Sequence, residues 1–197
     1  DLKKAEELMV AASELESENA INQIMVTRWA LENGKLELAK KCIDRASKVQ
    51  SNLETKLLSA LVARYRKDYG TAKSILESAH LESPANLGIV LELAIALSNI
   101  KGEENRGLQY AQLAAKLQPD LRQPAGRNAA MSLAWLLYRF GGQAEAEEIL
   151  QNVLMAGKIS SECSYFAARI LMNKNRPASK QLLEEIIKNG RQFPGFD

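Results

Sequence analysis

Small residues return along this chain in pairs seven apart, and the pairs recur at a nearly constant interval. Ala5 is followed by Ala12, Ala39 by Ala46, Ala72 by Ala79 and Gly107 by Ala114. Ala146 with Val153 and Ser179 with Ile186 continue the series with a larger aliphatic second member. The first members are separated by 34 (Ala5 to Ala39), 33, 35, 39 and 33 residues. Seven residues are close to two helical turns, so both members of a pair lie on one helix face. Small side chains there let a second helix approach closely. A period of this length means that each copy is one supersecondary unit that cannot bury its apolar face alone, so the copies must stack.

Composition agrees with a stacked helical core. The 197 residues are 46% hydrophobic and 25% charged, far from the composition of a disordered chain. β-Branched and aromatic residues never alternate over more than a few positions, whereas Ala, Leu, Glu and Lys abound, which predicts an all-α protein. A net charge of +2 supplies no global field toward nucleic acid or anionic lipid. The longest apolar runs, such as Leu87 to Leu97, are too short and too charged for direct membrane insertion. Cys42 and Cys163 sit among apolar helical positions as small hydrophobes; nothing demands a disulfide, and the compartment stays open between cytoplasm and bacterial periplasm. Asp1 leads straight into helical periodicity, so the chain is expected to be part of a longer protein with its targeting signals elsewhere.

Around the small pairs stand recurring turns, "ENGKLELA" (Glu32 to Ala39), "RKDYGTA" (Arg66 to Ala72) and "RFGGQAEA" (Arg139 to Ala146). With Pro84 and Pro119 each five residues beyond the second small residue, the pattern resembles the tetratricopeptide repeat (TPR) family over nearly the whole chain. Gly34 and Gly141 match the family's turn glycine and Tyr69 its turn aromatic. The resemblance implies a right-handed superhelical solenoid of antiparallel helix pairs: a half repeat at 1–19, then repeats at about 20–52, 53–87, 88–126, 127–159 and 160–193. One continuous array over 1–197 is expected rather than two domains. Helices are predicted at 2–16, 20–33, 36–50, 54–67, 70–82, 86–100, 103–117, 126–140, 143–156, 160–173 and 177–189. Ala60, Ala134 and Ala167 are the small positions of the first helices of their pairs, and Pro84 and Pro119 are expected to close their repeats. Gln23 and Lys56 stand where the family prefers a bulky residue. The stretch Pro119 to Met131 carries extra residues, read as a loop or an extended helix start at Pro124 and Gly126. The tail "RQFPGFD" reads as the start of a connection to another unit.

No catalytic, cofactor or metal site is expected. His80 is the single histidine, without companion ligands at metal spacing, and no phosphate-loop, dinucleotide or nucleophile-elbow pattern occurs. Acidic pairs such as Glu6 with Glu7, Glu147 with Glu148 and Glu184 with Glu185 read as solvated helix faces.

The resemblance implies function through a concave groove lined by the first helix of each pair. Carried over residue by residue, the groove holds Ile24, Arg28 and Leu31, then Leu57, Leu61, Arg64 and Tyr65, then Glu92, Ala96 and Asn99. Met131, Trp135, Tyr138 and Arg139 follow, and last Ala168, Leu171 and Met172. Apolar and aromatic residues beside arginines suit an amphipathic helix or an extended segment of some acidic character. The lysine, asparagine and arginine of chaperone-binding carboxylate clamps are missing, since Ile24, Leu58 and Leu93 occupy such positions. The implied function is a non-enzymatic scaffold for a protein or peptide partner, and the style of the repeats resembles bacterial arrays. Self-association is another habit of the family. Two alternatives stand beside this reading: an RNA-binding module of pentatricopeptide type, disfavoured by apolar groove positions and low charge, and the docking arm of an enzyme lying outside the chain.

Overall fold

A computed structural model describes residues 2–189, and every regular element among them is an α-helix. They are α1 (Leu2–Leu15), α2 (Ala20–Glu32), α3 (Leu36–Val49), α4 (Leu53–Tyr65), α5 (Tyr69–Glu82), α6 (Leu87–Leu97), α7 (Glu104–Leu117), α8 (Pro124–Arg139), α9 (Gln143–Ala156), α10 (Ser161–Leu171) and α11 (Arg176–Asn189). The tail expected to begin a further connection, and the end of the last repeat at 193, lie outside the described residues. Each predicted helix is present. Most boundaries shift by one to three residues, and two of the shifts have clear local causes. Helix α6 stops at Leu97 rather than at 100, where Ser98 Oγ and Asn99 Nδ2 both donate to the Ile95 carbonyl (2.8 and 2.7 Å), competing with the backbone for the last turn. Helix α8 starts earlier, at Pro124, because a proline with no N–H suits a first helical turn.

The described residues form two compact units that divide between Glu82 and Ser83. In the first, α2 packs on α3 and α4 on α5, with α1 against α2, α3 against α4 and α2 against α4. In the second, the pairs are α6 with α7, α8 with α9 and α10 with α11, joined through α7 on α8, α6 on α8 and α8 on α10. Short connections make the partners of each pair antiparallel.

The recurrent small residues are the places where helices meet. Ala39, Ala46, Ala72, Ala79, Ala114, Ala146 and Val153 are fully buried, and Ser179 and Ile186 nearly so. Ala60, Ala134 and Ala167 are buried on the opposing helices. At Gly107 two helices meet tightly: a Cβ there would lie 2.8 Å from Ser98 N and 3.0 Å from the Ala94 carbonyl oxygen, both backbone atoms at or near the end of α6. Helix α1 departs from the pattern, since Ala5 and Ala12 are only half-buried and Ser13 is the residue pressed inward.

Two local signals recur in most of the pairs, the exceptions being α8, whose N-cap Gln123 makes no side-chain bond, and the turn from α10 to α11, which has no left-handed residue. The first helix is opened by a side-chain cap: Asn19 accepts from Asn22 N, Asn52 from Thr55 N, Asn86 from Ile89 N and Ser160 from Cys163 N. The turn into the second helix passes through a left-handed residue five positions before the small one, namely Gly34 (φ 69°), Lys67 (φ 62°), Gly102 (φ 89°) and Gly141 (φ 94°). The N–H of the following residue then reaches back to the preceding helix, as from Lys35 to Ala30 O, Asp68 to Ala63 O and Gly142 to Leu137 O, which satisfies terminal carbonyls. Lys67, not the nearby Gly70, holds the left-handed station in its turn.

Pro84 and Pro119 each stand two residues beyond the end of a helix, α5 at Glu82 and α7 at Leu117, at the close of a repeat as expected. Pro84 lies in the turn before α6, and Asn86 rather than proline caps that helix; Pro119 lies in the irregular stretch after α7. It is Pro124 and Pro177 that occupy first helical turns. The long connection between α7 and α8 is rigidly tied. Arg127, buried, donates to the carbonyls of Leu121 and Arg122 (2.8 Å each) and of Lys158 (2.6 Å). Gly126 admits the Asp120 carbonyl to a position 2.3 Å from where any Cβ would stand.

Candidate functional site

Each unit presents a partly exposed stripe along the first helices of its pairs. In the first unit, α2 turns Ile21, Met25, Arg28 and Glu32 outward at helical spacing, with Ile21 69% and Met25 63% exposed. Glu54, Leu57, Leu61 and Tyr65 form the corresponding stripe of α4, the last three half-buried. Arg28 Nη2 meets Glu54 Oε1 at 2.7 Å, joining the two stripes. Ile24 and Arg64, expected to line a groove, are instead buried: Ile24 belongs to the core between α2, α3 and α4, and the Arg64 guanidinium lies 5.3 Å from the Tyr65 ring centroid. Leu31 is core as well, while Ile21 and Met25 carry the exposed apolar surface on the adjoining face of the helix.

In the second unit α8 and α10 build an aromatic cluster with two cations. The Trp135 ring stacks on Phe166 with centroids 5.2 Å apart and planes 3° from parallel, and on Tyr138 at 6.1 Å and 19°. Arg139 and Arg169 bring their guanidinium carbons to 5.8 and 6.0 Å from the Trp135 ring, within cation–π reach. Both are held. Arg139 donates from Nη1 to Ser98 Oγ (3.2 Å) and Asn99 Oδ1 (3.4 Å) and from Nη2 to the Ser98 carbonyl (3.0 Å). Arg169 donates from Nη1 to the Tyr165 hydroxyl (2.7 Å), one helical turn earlier. The Arg169 acceptor is a neutral hydroxyl, which fixes the direction of that guanidinium without cancelling its charge. Trp135 and Tyr138 are half-buried and Arg139 and Arg169 exposed, so the ring's covered face stabilises the fold while its rim meets solvent. Met131, placed in the groove by its repeat position, is fully buried in the core beneath this cluster.

Arg169, Tyr165 and Phe166 are not among the expected positions. Repeat register predicts Ala168, Leu171 and Met172 on α10; Ala168 is buried, Leu171 half-buried and only Met172 is exposed. The i, i+4 spacing of Tyr165 and Arg169 is the available signal, and it is visible once the exposed stripe of α10 is centred on Tyr165, Arg169 and Met172. Among the described residues no cluster of three or more metal-ligating side chains occurs, and no helix is long and apolar enough to cross a membrane.

No family model matches the sequence, and no curated protein does. The fold does match solved structures. A thermophilic TPR protein of Thermus thermophilus superposes with a TM-score of 0.70 over 86% of this chain and 91% of its own, at 16% identity. The chain has the tetratricopeptide-repeat fold.

Two other TPR-like matches show how widely that scaffold is shared. YrrB, described as a TPR protein with an unusual peptide-binding site, matches with a TM-score of 0.55 and 21% identity over 92% of this chain and 91% of its own. The human IFIT1 dimer with PPP-AAAA matches with a TM-score of 0.66 and 15% identity, over 94% of this chain and 45% of that one. Identities at this level speak for the TPR architecture alone. Within it, Ile24, Leu58 and Leu93 are buried apolar residues, so a carboxylate clamp has no side chains at those stations.

Proposed function

We propose that this TPR protein is a non-catalytic interaction scaffold, and that the α8 and α10 surface of its second unit takes an extended or helical segment of a partner protein carrying acidic and apolar side chains. The observation that carries this reading is the pair of guanidiniums held beside the half-exposed Trp135 ring. Aromatic and arginine side chains supply a large share of binding energy in protein interfaces. A carboxylate of the partner would meet Arg139 and Arg169, and an apolar neighbour would cover the rim of Trp135 and Tyr138. The exposed Ile21 and Met25 of the first unit, with Leu57, Leu61 and Tyr65, offer a second apolar stripe of the same kind. The interval of 35 residues from Ala72 to Gly107 continues across the boundary between the units, which supports reading the chain as one array.

Selection of a random peptide library on the immobilised protein tests the proposal. Enrichment of peptides that place Asp or Glu next to an apolar residue, lost on an Arg139→Glu/Arg169→Glu variant that keeps its helical content, supports it. Oligoribonucleotides are offered in parallel. Failure to enrich any peptide, or binding of oligoribonucleotide with displacement of selected peptides, would overturn it, the second outcome giving the surface to a nucleotide ligand instead.

A further inference from the structure

Helix α1 is attached to the first unit differently from every other helix pair described. Among its described side chains only Ser13 is buried, whereas α3 buries Ala39, Cys42, Ile43 and Ala46. Its outer residues include Leu8 and Leu15, 62% and 85% exposed. Ala5, Met9 and Ala12 are half-buried, and a set of polar bonds ties α1 down at its C-terminal end. Asn22 Nδ2 donates to the Ala12 carbonyl (2.9 Å), and Gln23 Nε2 to the carbonyls of Ser13 (2.8 Å) and Glu16 (3.1 Å). Arg45 Nη1 donates to the Ser13 carbonyl (3.1 Å), while Lys41 and Arg45 pair with Glu14 at 2.5 and 3.1 Å. Lys35 pairs with Glu6 near the other end.

These bonds can all be exchanged for bonds to water, and the described apolar side chains of α1 that opening would expose are only half-buried, Ala5, Met9 and Ala12. The docked state also carries a defect. Gln23 is fully buried, and its Oε1 has no hydrogen-bond partner among the described residues, a desolvation cost that opening would relieve. Between Lys41 and Arg45, which both reach α1, Cys42 of α3 is a fully buried free thiol.

We infer that α1 is a latch: it opens from α2 and α3 as a unit while α2 to α5 stay folded, and its opening uncovers Gln23 and Cys42. This inference does not rest on the partner surface of the second unit. Elements with few buried apolar contacts open locally at a smaller free-energy cost than global unfolding.

The test is thiol labelling of the whole chain with Ellman's reagent under native conditions, with Cys42 and Cys163 resolved by peptide mapping, alongside native-state hydrogen exchange. Cys42 is expected to react about tenfold or more faster than Cys163, with a weak urea dependence because a single helix exposes little surface. Arg45→Gln, which removes a bond to Ser13 and a partner of Glu14, is expected to speed Cys42 further and leave Cys163 unchanged. Backbone amides of α1 should exchange ahead of those of α2 to α5. If Cys42 reacts only with the urea dependence shared by the α2 to α5 amides, or if α1 amides are as protected as theirs, the helix is an integral part of the unit and the latch is refuted.

Discussion

Trp135 of α8 lies flat against Phe166 of α10, with centroids 5.2 Å apart and planes only 3° from parallel. One face of the indole is therefore structural, and Arg139 and Arg169 lie beside the ring. Trp135→Ala should lower stability by roughly 2 kcal/mol, below the cost of removing a fully buried Trp because part of the ring is already exposed. Urea denaturation checks this. The same substitution should also weaken partner binding, so Trp135 alone does not separate the two roles.

Arg169 does separate them. It is exposed and bonded to Tyr165 one turn away, and Arg169→Ala should change stability by no more than about 0.5 kcal/mol. Its binding of an acidic peptide should nonetheless fall. An equal loss in folding stability, read from the same denaturation curves, would make Arg169 a packing residue.

Two glycines should respond in opposite directions. Gly107→Ala drives a Cβ against Ser98 N and the Ala94 carbonyl, atoms that cannot rotate away, and should cost about 3 kcal/mol or more despite the better helix propensity of alanine. Gly70→Ala in α5 meets only Asp68 Oδ1 at 3.9 Å and should stabilise by about 0.5 to 1 kcal/mol. Ala72→Leu, at a fully buried contact, should destabilise by about 1 to 3 kcal/mol. Thermal melts of the three variants rank them.

Lys67 occupies a left-handed conformation that its counterparts Gly34, Gly102 and Gly141 hold without a Cβ. Lys67→Gly should raise stability by about 1 kcal/mol, the relief of left-handed strain outweighing the added freedom of the unfolded chain. A lowered melting temperature would show that the lysine side chain matters more than its backbone.

Acid should loosen particular places first. The hydroxyl and backbone N–H of Thr71 hold the Asp68 carboxyl below its ordinary range, and the Lys41 and Arg45 cations do the same for Glu14. A carboxylate with a lowered folded-state pKa contributes stability that is fully present above its unfolded value and disappears as pH falls through the folded one. The start of α5 and the docking of α1 should therefore weaken below about pH 4, measurable by side-chain carboxyl titration in NMR and by exchange of their amides.

Much of this architecture is legible in the sequence because close helix contacts tolerate few residue types. Ala39, Ala72, Gly107, Ala146 and Ser179 announce their contacts by size alone, and all are buried. The caps Asn19, Asn52, Asn86 and Ser160 carry a second periodic signal, which fixes where four of the pairs begin, while α8 starts at a proline instead. The surface is harder to read. One helical position turns a side chain by about 100°, so a register correct for the core still places Ile24 and Met131 on the surface when they are buried, and passes over Met25 and Arg169. Gln23 is the instructive exception: where the family prefers a bulky residue, a buried amide caps the carbonyls of α1 and of the turn that follows it.

The most direct test of the scaffold reading is chemical-shift mapping of the isotope-labelled chain with an acidic, apolar peptide obtained by library selection. The indole N–H of Trp135 and the amides around Tyr138, Arg139, Tyr165 and Arg169 are predicted to move together and saturably, and the Arg139→Glu/Arg169→Glu variant is predicted to abolish the response. Saturable shifts confined to other helices, with the Trp135 indole unmoved, would contradict it.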